Sequence, residues 1–182
     1  MKRFIKVVFV LVATLALIVV VLEMTSSYHV SKTINTDAPV ITRQQIVIHA
    51  PVETVWQVFS NVNDWPEWQK EIPVSKIDST FSEGASFNWK SNGLTIRSTL
   101  HTVKPNEEAG WSGPAFGAFA IHTWHFTGQG DSTLVVVNES MEGWLVTLFK
   151  KQFQSGLDSS IIYWLKALKA ESERKYKRLV FS

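Results

Sequence analysis

Hydrophobic residues follow three different patterns along the chain, and each pattern predicts a different kind of element. An almost unbroken apolar run extends from Val7 to Leu22, and Phe4 and Ile5 lengthen it to about 19 residues, close to the ~20 of a membrane-spanning helix. Apolar and polar residues alternate at 41–48 and again after Pro73, which predicts β-strands. The C-terminal part instead has apolar residues three or four positions apart, the spacing of an amphipathic helix.

The middle of the chain is predicted to contain two short helices and a series of hairpins. After a first strand at 41–48, one helix is expected to begin at Pro51 and a second at Asp64, acting as its N-cap. Asn92-Gly93 is a preferred pair for a type I′ hairpin turn between two alternating segments. Further turns are predicted at Pro105–Glu107, Gly113-Pro114 and Gly128–Asp131. These turns delimit about six antiparallel strands without room for crossover helices.

A long helix is predicted from Trp144 to Tyr176, with one apolar stripe buried. Gly156 lies in its middle and weakens it by ~1 kcal/mol relative to Ala, which marks a kink or a close approach to a bulky neighbour. The order of elements is strand, two short helices, strands and long helix. This order predicts an α+β fold in which a curved antiparallel sheet wraps around the C-terminal helix, preceded by the N-terminal transmembrane helix.

The sequence divides into four segments. Residues 1–22 form a transmembrane anchor or a signal segment, 23–40 a polar linker, 41–176 the folded domain and 177–182 a C-terminal tail. The apolar run is slightly longer than the hydrophobic region of a usual signal peptide, and no A-x-A cleavage site follows it. An uncleaved anchor is therefore favoured, with membrane contact through residues 4–22. A cleaved signal peptide is the alternative.

The distribution of basic residues predicts the orientation of this segment. Lys2, Arg3 and Lys6 precede the apolar run, whereas Lys32 is the one Lys or Arg in the 20 residues that follow it. Because basic residues remain on the cytoplasmic side, the N-terminus is expected in the cytoplasm and the domain outside it. If the segment is cleaved, the expected location is secreted or periplasmic.

Composition and motifs exclude several classes of function. The net charge of +2 gives no reason to expect a nucleic-acid partner, and the absence of Cys removes thiolate metal sites and cysteine nucleophiles. Gly128-Gln129-Gly130 lacks the third glycine of a dinucleotide-binding loop, so no cofactor is predicted. His122 and His125 are three positions apart on a predicted strand and point to opposite faces, so no metal site is predicted either.

Several sequence segments are similar to one known superfamily. They are IHAPVETVW at 48–56, NDWPEW at 63–68, WSG at 111–113, HTWHF at 122–126 and ESMEG at 139–143. With these segments, the chain resembles the START-like helix-grip (SRPBCC) superfamily, and within it the polyketide cyclase/dehydrase-like branch. The resemblance covers about residues 41–176 and implies the same curved sheet around a long helix. Relatives in this superfamily include lipid carriers, hormone receptors, aromatic cyclases and chaperone activators, so the resemblance alone does not select a function.

Strand parity identifies one pair of candidate catalytic residues. His122, Trp124 and Phe126 share a face that two large aromatic residues mark as inward. Glu139 shares a face with Val137 on the following strand, and hairpin pairing is expected to bring it near His122. A buried His–Glu pair is suited to general acid/base catalysis, although such a pair also occurs as a purely structural contact.

Large apolar residues on the inward faces of the strands and on the helix stripe are the candidate walls of a ligand cavity. Trp residues number eight, all between 56 and 164, and such rigid side chains either fill a core or line a pocket. The predicted ligand-binding residues are Phe87, Trp89, Ile96, Ser98, Leu100, Trp111, Phe119, Trp124, Phe126, Val137, Phe153 and Leu157.

Three functions are compatible with these features. The favoured hypothesis is a membrane-tethered binding protein for a hydrophobic small molecule or lipid, held between the sheet and the C-terminal helix. The first alternative is a polyketide cyclase/dehydrase-like or hydrolytic enzyme that uses His122 and Glu139. The second is a module that interacts with a chaperone or an envelope protein, which would need an exposed apolar patch and a collapsed cavity.

Overall fold

The computed structural model describes residues 1–28 and 31–181. Helix α1 (Lys2–Thr25) contains the predicted membrane segment, and none of its residues is buried. The helix is long and apolar enough to cross a membrane, and a signal sequence near an N-terminus would have the same properties. It continues beyond Leu22, so the first residues of the predicted linker are helical. Residues 29, 30 and 182, which belong to the predicted linker and tail, lie outside the described residues.

Within residues 1–28 and 31–181, seven antiparallel strands form one open sheet in the order β1-β7-β6-β5-β4-β3-β2. The strands are β1 (Val40–Ile48), β2 (Ser75–Ile77), β3 (Ser86–Ser91), β4 (Leu94–Lys104), β5 (Glu108–Ala115), β6 (Ala118–Gln129) and β7 (Ser132–Glu142). A register shift between Leu100 and Thr102 interrupts the β4–β5 ladder, and such an irregularity bends a strand. The predicted first strand and the six later strands are confirmed.

The turns follow the predictions at one hairpin and depart from them at another. Asn92 and Gly93 have φ values of 49° and 80°, the positive pair that a type I′ turn requires. The turn predicted at Gly113-Pro114 is wrong, because both residues lie inside β5. The chain reverses instead at Phe116-Gly117, where Gly117 has a φ of 65°. Proline fits inside β5 because, in the register with β6, Pro114 comes one residue before the end of the strand.

Short helices cover one end of the sheet. Helix α2 (Val52–Ser60) begins directly after Pro51 and buries Val55 and Phe59. A single 3₁₀ turn then leads into α3 (Trp65–Trp68). Asp64 precedes α3 as predicted, but its side chain makes no capping bond and accepts a hydrogen bond from Asn61 instead.

The predicted C-terminal helix is divided into α4 (Trp144–Leu148) and α5 (Lys150–Val180). The break is at Phe149, whose φ of −116° and ψ of 38° are not helical. It allows α4 to pack on β6 and β7 while α5 packs on β1 and α2. Helix α5 ends at Val180 rather than Tyr176, so the predicted tail 177–182 begins as helix. The α+β helix-grip architecture is confirmed, with α5 as the helix that the sheet grips.

The described part of the predicted linker lies against the domain. The Tyr28 ring stacks on Phe119 with centroids 5.2 Å apart. The Asn35 backbone N–H donates to Ser140 Oγ at 2.9 Å, and its side-chain amide donates to Glu142 Oε2 at 2.7 Å. These contacts hold Tyr28 and Asn35 on the sheet.

Candidate functional site

A cavity of about 370 Å³ lies between the concave face of the sheet and helix α5. This volume is in the range of small-molecule sites in proteins. Strands β3 to β7 and the first turns of α5 contribute most of its lining, which is predominantly apolar. The walls include Ile72, Trp89, Ile96, Ala118, Ala120, Met141, Leu145, Phe153, Leu157, Ile161 and Trp164.

Helices α2 and α3 explain why the cavity occupies only part of the grip. Phe59 of α2 lies 5.0 Å from Trp124 and 4.9 Å from Phe126, measured between ring centroids. Trp65, which begins α3, lies 5.5 Å from Phe87 and contacts Trp111 as well. These two side chains therefore fill the part of the concave face around Trp124, Phe126 and Phe87, and the cavity occupies another part.

His122 and Glu139 lie opposite each other in the β6–β7 register, as strand parity predicted. His122 Nδ1 and Glu139 Oε2 are 2.8 Å apart, and the two side chains are only 6% and 4% exposed. The direction of the contact is poor for a hydrogen bond, and among the described residues neither atom has another hydrogen-bond partner. Both residues line the cavity, so a bound molecule can reach the pair.

Aromatic rings fix the position of the His122 imidazole. The Trp111 ring stacks on it with centroids 5.0 Å apart, and Trp89 meets it edge-on at 6.2 Å. The Trp89 indole N–H in turn donates to Ser98 Oγ at 3.0 Å. This arrangement presents an imidazole and a carboxylate to an apolar space, where the pair is able to donate, accept or transfer a proton.

Two other polar side chains that line the cavity have atoms without a partner. Gln69 Nε2 and Trp164 Nε1 are buried and form no hydrogen bond with the described residues. Buried donors are normally satisfied, so these two groups are candidates to bind a polar atom of a ligand.

The predicted wall residues separate into three groups. Trp89, Ile96, Ser98, Phe153 and Leu157 line the cavity. Six others belong to the packed core and do not line it: Phe87, Leu100, Trp111, Trp124, Phe126 and Val137. For these six the inward direction is right, but they do not reach the open space. Phe119 is a correction, because its side chain packs on the outer face of the sheet against Tyr28.

The small residues that leave room for the cavity were not among the predicted wall residues. Ala118 and Ala120 share the strand parity of His122, and that parity was the signal that identifies them. Gly156 also lines the cavity, and a Cβ atom built on it would meet no atom within 4 Å. The mid-helix glycine therefore marks open space, and the close approach to a bulky neighbour predicted at this position is wrong.

A second groove lies on the outer face of the sheet, lined in part by Arg97, His101 and Phe119. Burial lowers the pKa of His101 below its ordinary value, because the charged form of the ring loses solvation. The imidazole of His101 is thus disposed to remain neutral. An uncharged imidazole is therefore favoured on the outer face of β4, the strand whose inner face lines the cavity.

A family model described as polyketide cyclase/dehydrase and lipid transport matches residues 39–173. The chain belongs to this family. The match covers the sheet, the short helices and most of α5, and leaves α1 outside. No curated protein matches the chain in sequence.

Solved structures of other proteins have the same fold as this family member. A hypothetical protein from Helicobacter pylori is 15% identical with a TM-score of 0.68, and the alignment covers 80% of this chain and 99% of that one. A START superfamily protein from Mycobacterium smegmatis is 16% identical (TM-score 0.64, coverage 76% and 98%). The Zhui aromatase/cyclase from Streptomyces sp. R1128 is 13% identical (TM-score 0.67, coverage 74% and 94%). At these identities the likeness concerns the fold.

Proposed function

We propose that the chain is a membrane-tethered protein whose domain holds a hydrophobic small molecule or lipid between the sheet and α5. The observation that carries this proposal is the cavity of about 370 Å³, with a largely apolar wall and polar groups at few positions. Burial of apolar surface by a bound ligand contributes a favourable free energy of about 25 cal/mol per Å². A space with this lining therefore favours a ligand that is mainly hydrocarbon or aromatic.

The unpartnered polar groups narrow the ligand class to an amphiphile. His122, Glu139, Gln69 and Trp164 each have a buried polar atom without a hydrogen-bond partner among the described residues. A ligand with one hydroxyl, carbonyl or carboxyl group could satisfy some of these atoms while its remaining surface contacts the apolar wall. The description of the family includes lipid transport, which agrees with this class.

The size of the cavity also bears on the interaction-module hypothesis. That function requires the space inside the grip to be collapsed, whereas Gly156, Ala118 and Ala120 leave it open. The open space supports ligand binding over an interaction module.

The ligand-binding function is tested by what purifies with the protein. We expect the full chain, purified in mild detergent, to retain a hydrophobic molecule that native mass spectrometry detects and organic extraction releases. We also expect it to take up cis-parinaric acid, a fluorescent fatty acid, with energy transfer from Trp89 and Trp164 in the cavity wall. A protein that carries no molecule and takes up no fatty acid would contradict the proposal.

A second candidate function is an enzyme, favoured by the buried contact between His122 and Glu139. The Zhui protein, which shares the fold, is an aromatase/cyclase according to its description. In such a function the pair would shuttle a proton during cyclisation, dehydration or hydrolysis, and its loss would reduce turnover by ~100-fold or more.

Glu139→Gln distinguishes the two functions, because glutamine preserves the shape of the side chain but is a poor proton acceptor. For the binding function, we expect the wild type and the variant to retain a ligand of the same mass. If the variant retained a different species, for example one that differs by a molecule of water, the pair would be catalytic. His122→Ala provides the matching change on the other partner.

Membrane tethering is proposed from the three basic residues that precede the apolar run and the absence of an A-x-A site after it. We expect a reporter fused after residue 182 to be active only outside the cytoplasm, and the mature chain to keep Met1 or its immediate neighbours. N-terminal sequencing and reporter activity are the measurements. A mature chain that begins near Tyr28 would show cleavage, and activity in the cytoplasm would reverse the orientation.

A further inference from the structure

The end of helix α1 contacts the domain through one carboxylate. Glu23 Oε2 accepts a hydrogen bond from the Gly117 backbone N–H at 3.1 Å and another from Trp144 Nε1 at 3.0 Å. Gly117 lies in the β5–β6 turn, and Trp144 is the first residue of α4. A single acceptor oxygen on α1 thus bonds to two separate elements of the domain.

The same two elements contribute to the open end of the cavity, which the β3–β4 hairpin also borders. Phe116 of the β5–β6 turn and Leu145 of α4 both line it, together with Gly156 of α5. Phe116 is 50% exposed and Gly156 is also exposed, whereas His122 and Glu139 are buried in the interior. The mouth of the cavity therefore lies beside the contact that Glu23 makes.

The surface around this mouth is apolar and basic. Leu148 is 67% exposed and Phe149 is 44% exposed, and the exposed Lys150 and Lys151 follow them directly. Exposed apolar side chains beside lysines are typical of surfaces that contact anionic lipid headgroups. Trp144, in contact with Glu23, belongs to one of the two residue types, Trp and Tyr, that are enriched at the membrane–water boundary.

The length of α1 gives the depth at which the mouth would lie. The apolar run ends at Leu22, and about 20 helical residues span the hydrocarbon core of a bilayer. Glu23 follows this run directly, at the edge of the hydrocarbon core when the helix spans the membrane. The groups that it binds, Gly117 and Trp144, would then lie at the depth of the lipid headgroups.

We infer that Glu23 fixes the domain with its cavity mouth against the bilayer, so that an amphiphilic lipid passes between membrane and cavity without crossing water. The inference rests on the proposed tethering by α1 and adds the direction of access and the positioning residue. Lipid headgroups are the occupant of the surface formed by Phe116, Leu148 and Phe149. Glu23 acts through orientation and does not contact the cavity itself.

The absence of Cys makes a direct test possible, since one introduced thiol can be labelled selectively. Leu148→Cys and Glu107→Cys, each carrying an environment-sensitive fluorophore, are placed in the full chain in phosphatidylcholine/phosphatidylglycerol vesicles that contain brominated lipid. Glu107 is the control, because it is exposed in the β4–β5 turn, at the other end of β5 from Phe116, and the eight residues of β5 extend over about 25 Å. We expect strong quenching by brominated lipid at position 148 and little at 107.

Variants of Glu23 test the role of its hydrogen bonds to Gly117 and Trp144. Glu23→Ala removes the acceptor and is expected to reduce quenching at position 148 to the level at 107. Glu23→Gln keeps an acceptor oxygen for both donors and is expected to preserve the quenching. Equal quenching at positions 148 and 107 in the labelled chains that retain Glu23 would overturn the inference. Strong quenching at position 148 that persists in Glu23→Ala would also overturn it.

Ligand uptake separates this inference from the proposed function. We expect Glu23→Ala to take up cis-parinaric acid from vesicles several-fold more slowly while the amount bound at equilibrium remains unchanged. Normal uptake rates in Glu23→Ala would overturn membrane access while leaving ligand binding intact. If neither the wild type nor the variants bound the fatty acid, the proposed function itself would fail, whatever the quenching results.

Discussion

A chain that ends at Gly156 is expected not to fold. It would lose the buried side chains Leu157, Ile161, Trp164, Leu165 and Leu168 of α5. Full burial of such side chains is worth about 1.5–3 kcal/mol each, so their loss approaches or exceeds the roughly 5–15 kcal/mol by which a typical domain is stable. Thermal unfolding monitored by near-ultraviolet circular dichroism is the measurement, since the packed tryptophans give a signal only in the folded state.

A chain that ends at Tyr176 is the matched control. Residues 177–181 are exposed, so their removal is expected to change the free energy of unfolding by less than about 0.5 kcal/mol. A cooperative transition in the chain that ends at Gly156 would mean that the sheet is stable without the helix it grips. That result would contradict the packing described for α5.

Gly156→Phe is expected to weaken ligand binding without loss of stability. An added Cβ at this position meets no atom within 4 Å, and the residue lines the cavity, so a benzyl side chain can enter the space that the ligand would occupy. We expect affinity for cis-parinaric acid to fall by at least about tenfold, which corresponds to about 1.4 kcal/mol. Stability should be unchanged or raised by up to about 0.5 kcal/mol, because glycine is the poorer helix former.

Ser155→Phe is the control for this change, because Ser155 is the exposed neighbour on the same helix and does not line the cavity. Its affinity for the fatty acid should match the wild type. Fluorescence titration gives the affinity and urea unfolding gives the stability. Unchanged affinity in Gly156→Phe would show that the ligand binds elsewhere, and a stability loss of about 1–3 kcal/mol would indicate a closed, tightly packed space.

Local rules were sufficient to predict the order of elements. Hairpin chemistry placed a turn at Asn92-Gly93, since this pair tolerates the positive φ values of a type I′ turn. The β6–β7 hairpin made His122 and Glu139 neighbours because side chains alternate strictly along paired strands. The same rule assigns Phe119 to the outer face. The prediction that Phe119 lines the cavity rested on the size of its side chain and not on strand parity, and it was wrong.

Local rules failed where the outcome depended on a distant neighbour. Gly113-Pro114 resembles a turn, but its pairing with β6 keeps it inside β5. Helix α4 separates from α5 at Phe149 without proline or glycine at the break, because the two helices pack on different strands. The predicted linker showed no pattern, yet Tyr28 and Asn35 attach it to the sheet.

The sequence by itself determined the fold, the apolar N-terminal helix and the His122–Glu139 pairing, because each depends on periodicity or on neighbouring strands. The position of the cavity was decided by tertiary structure. Trp89 and Phe87 both face inward from β3, yet Trp65 packs against Phe87, whereas Trp89 lines the open space. Which inward residue contacts a ligand depends on where α2, α3 and α5 pack over the sheet, and that is settled by contacts between residues far apart in the chain.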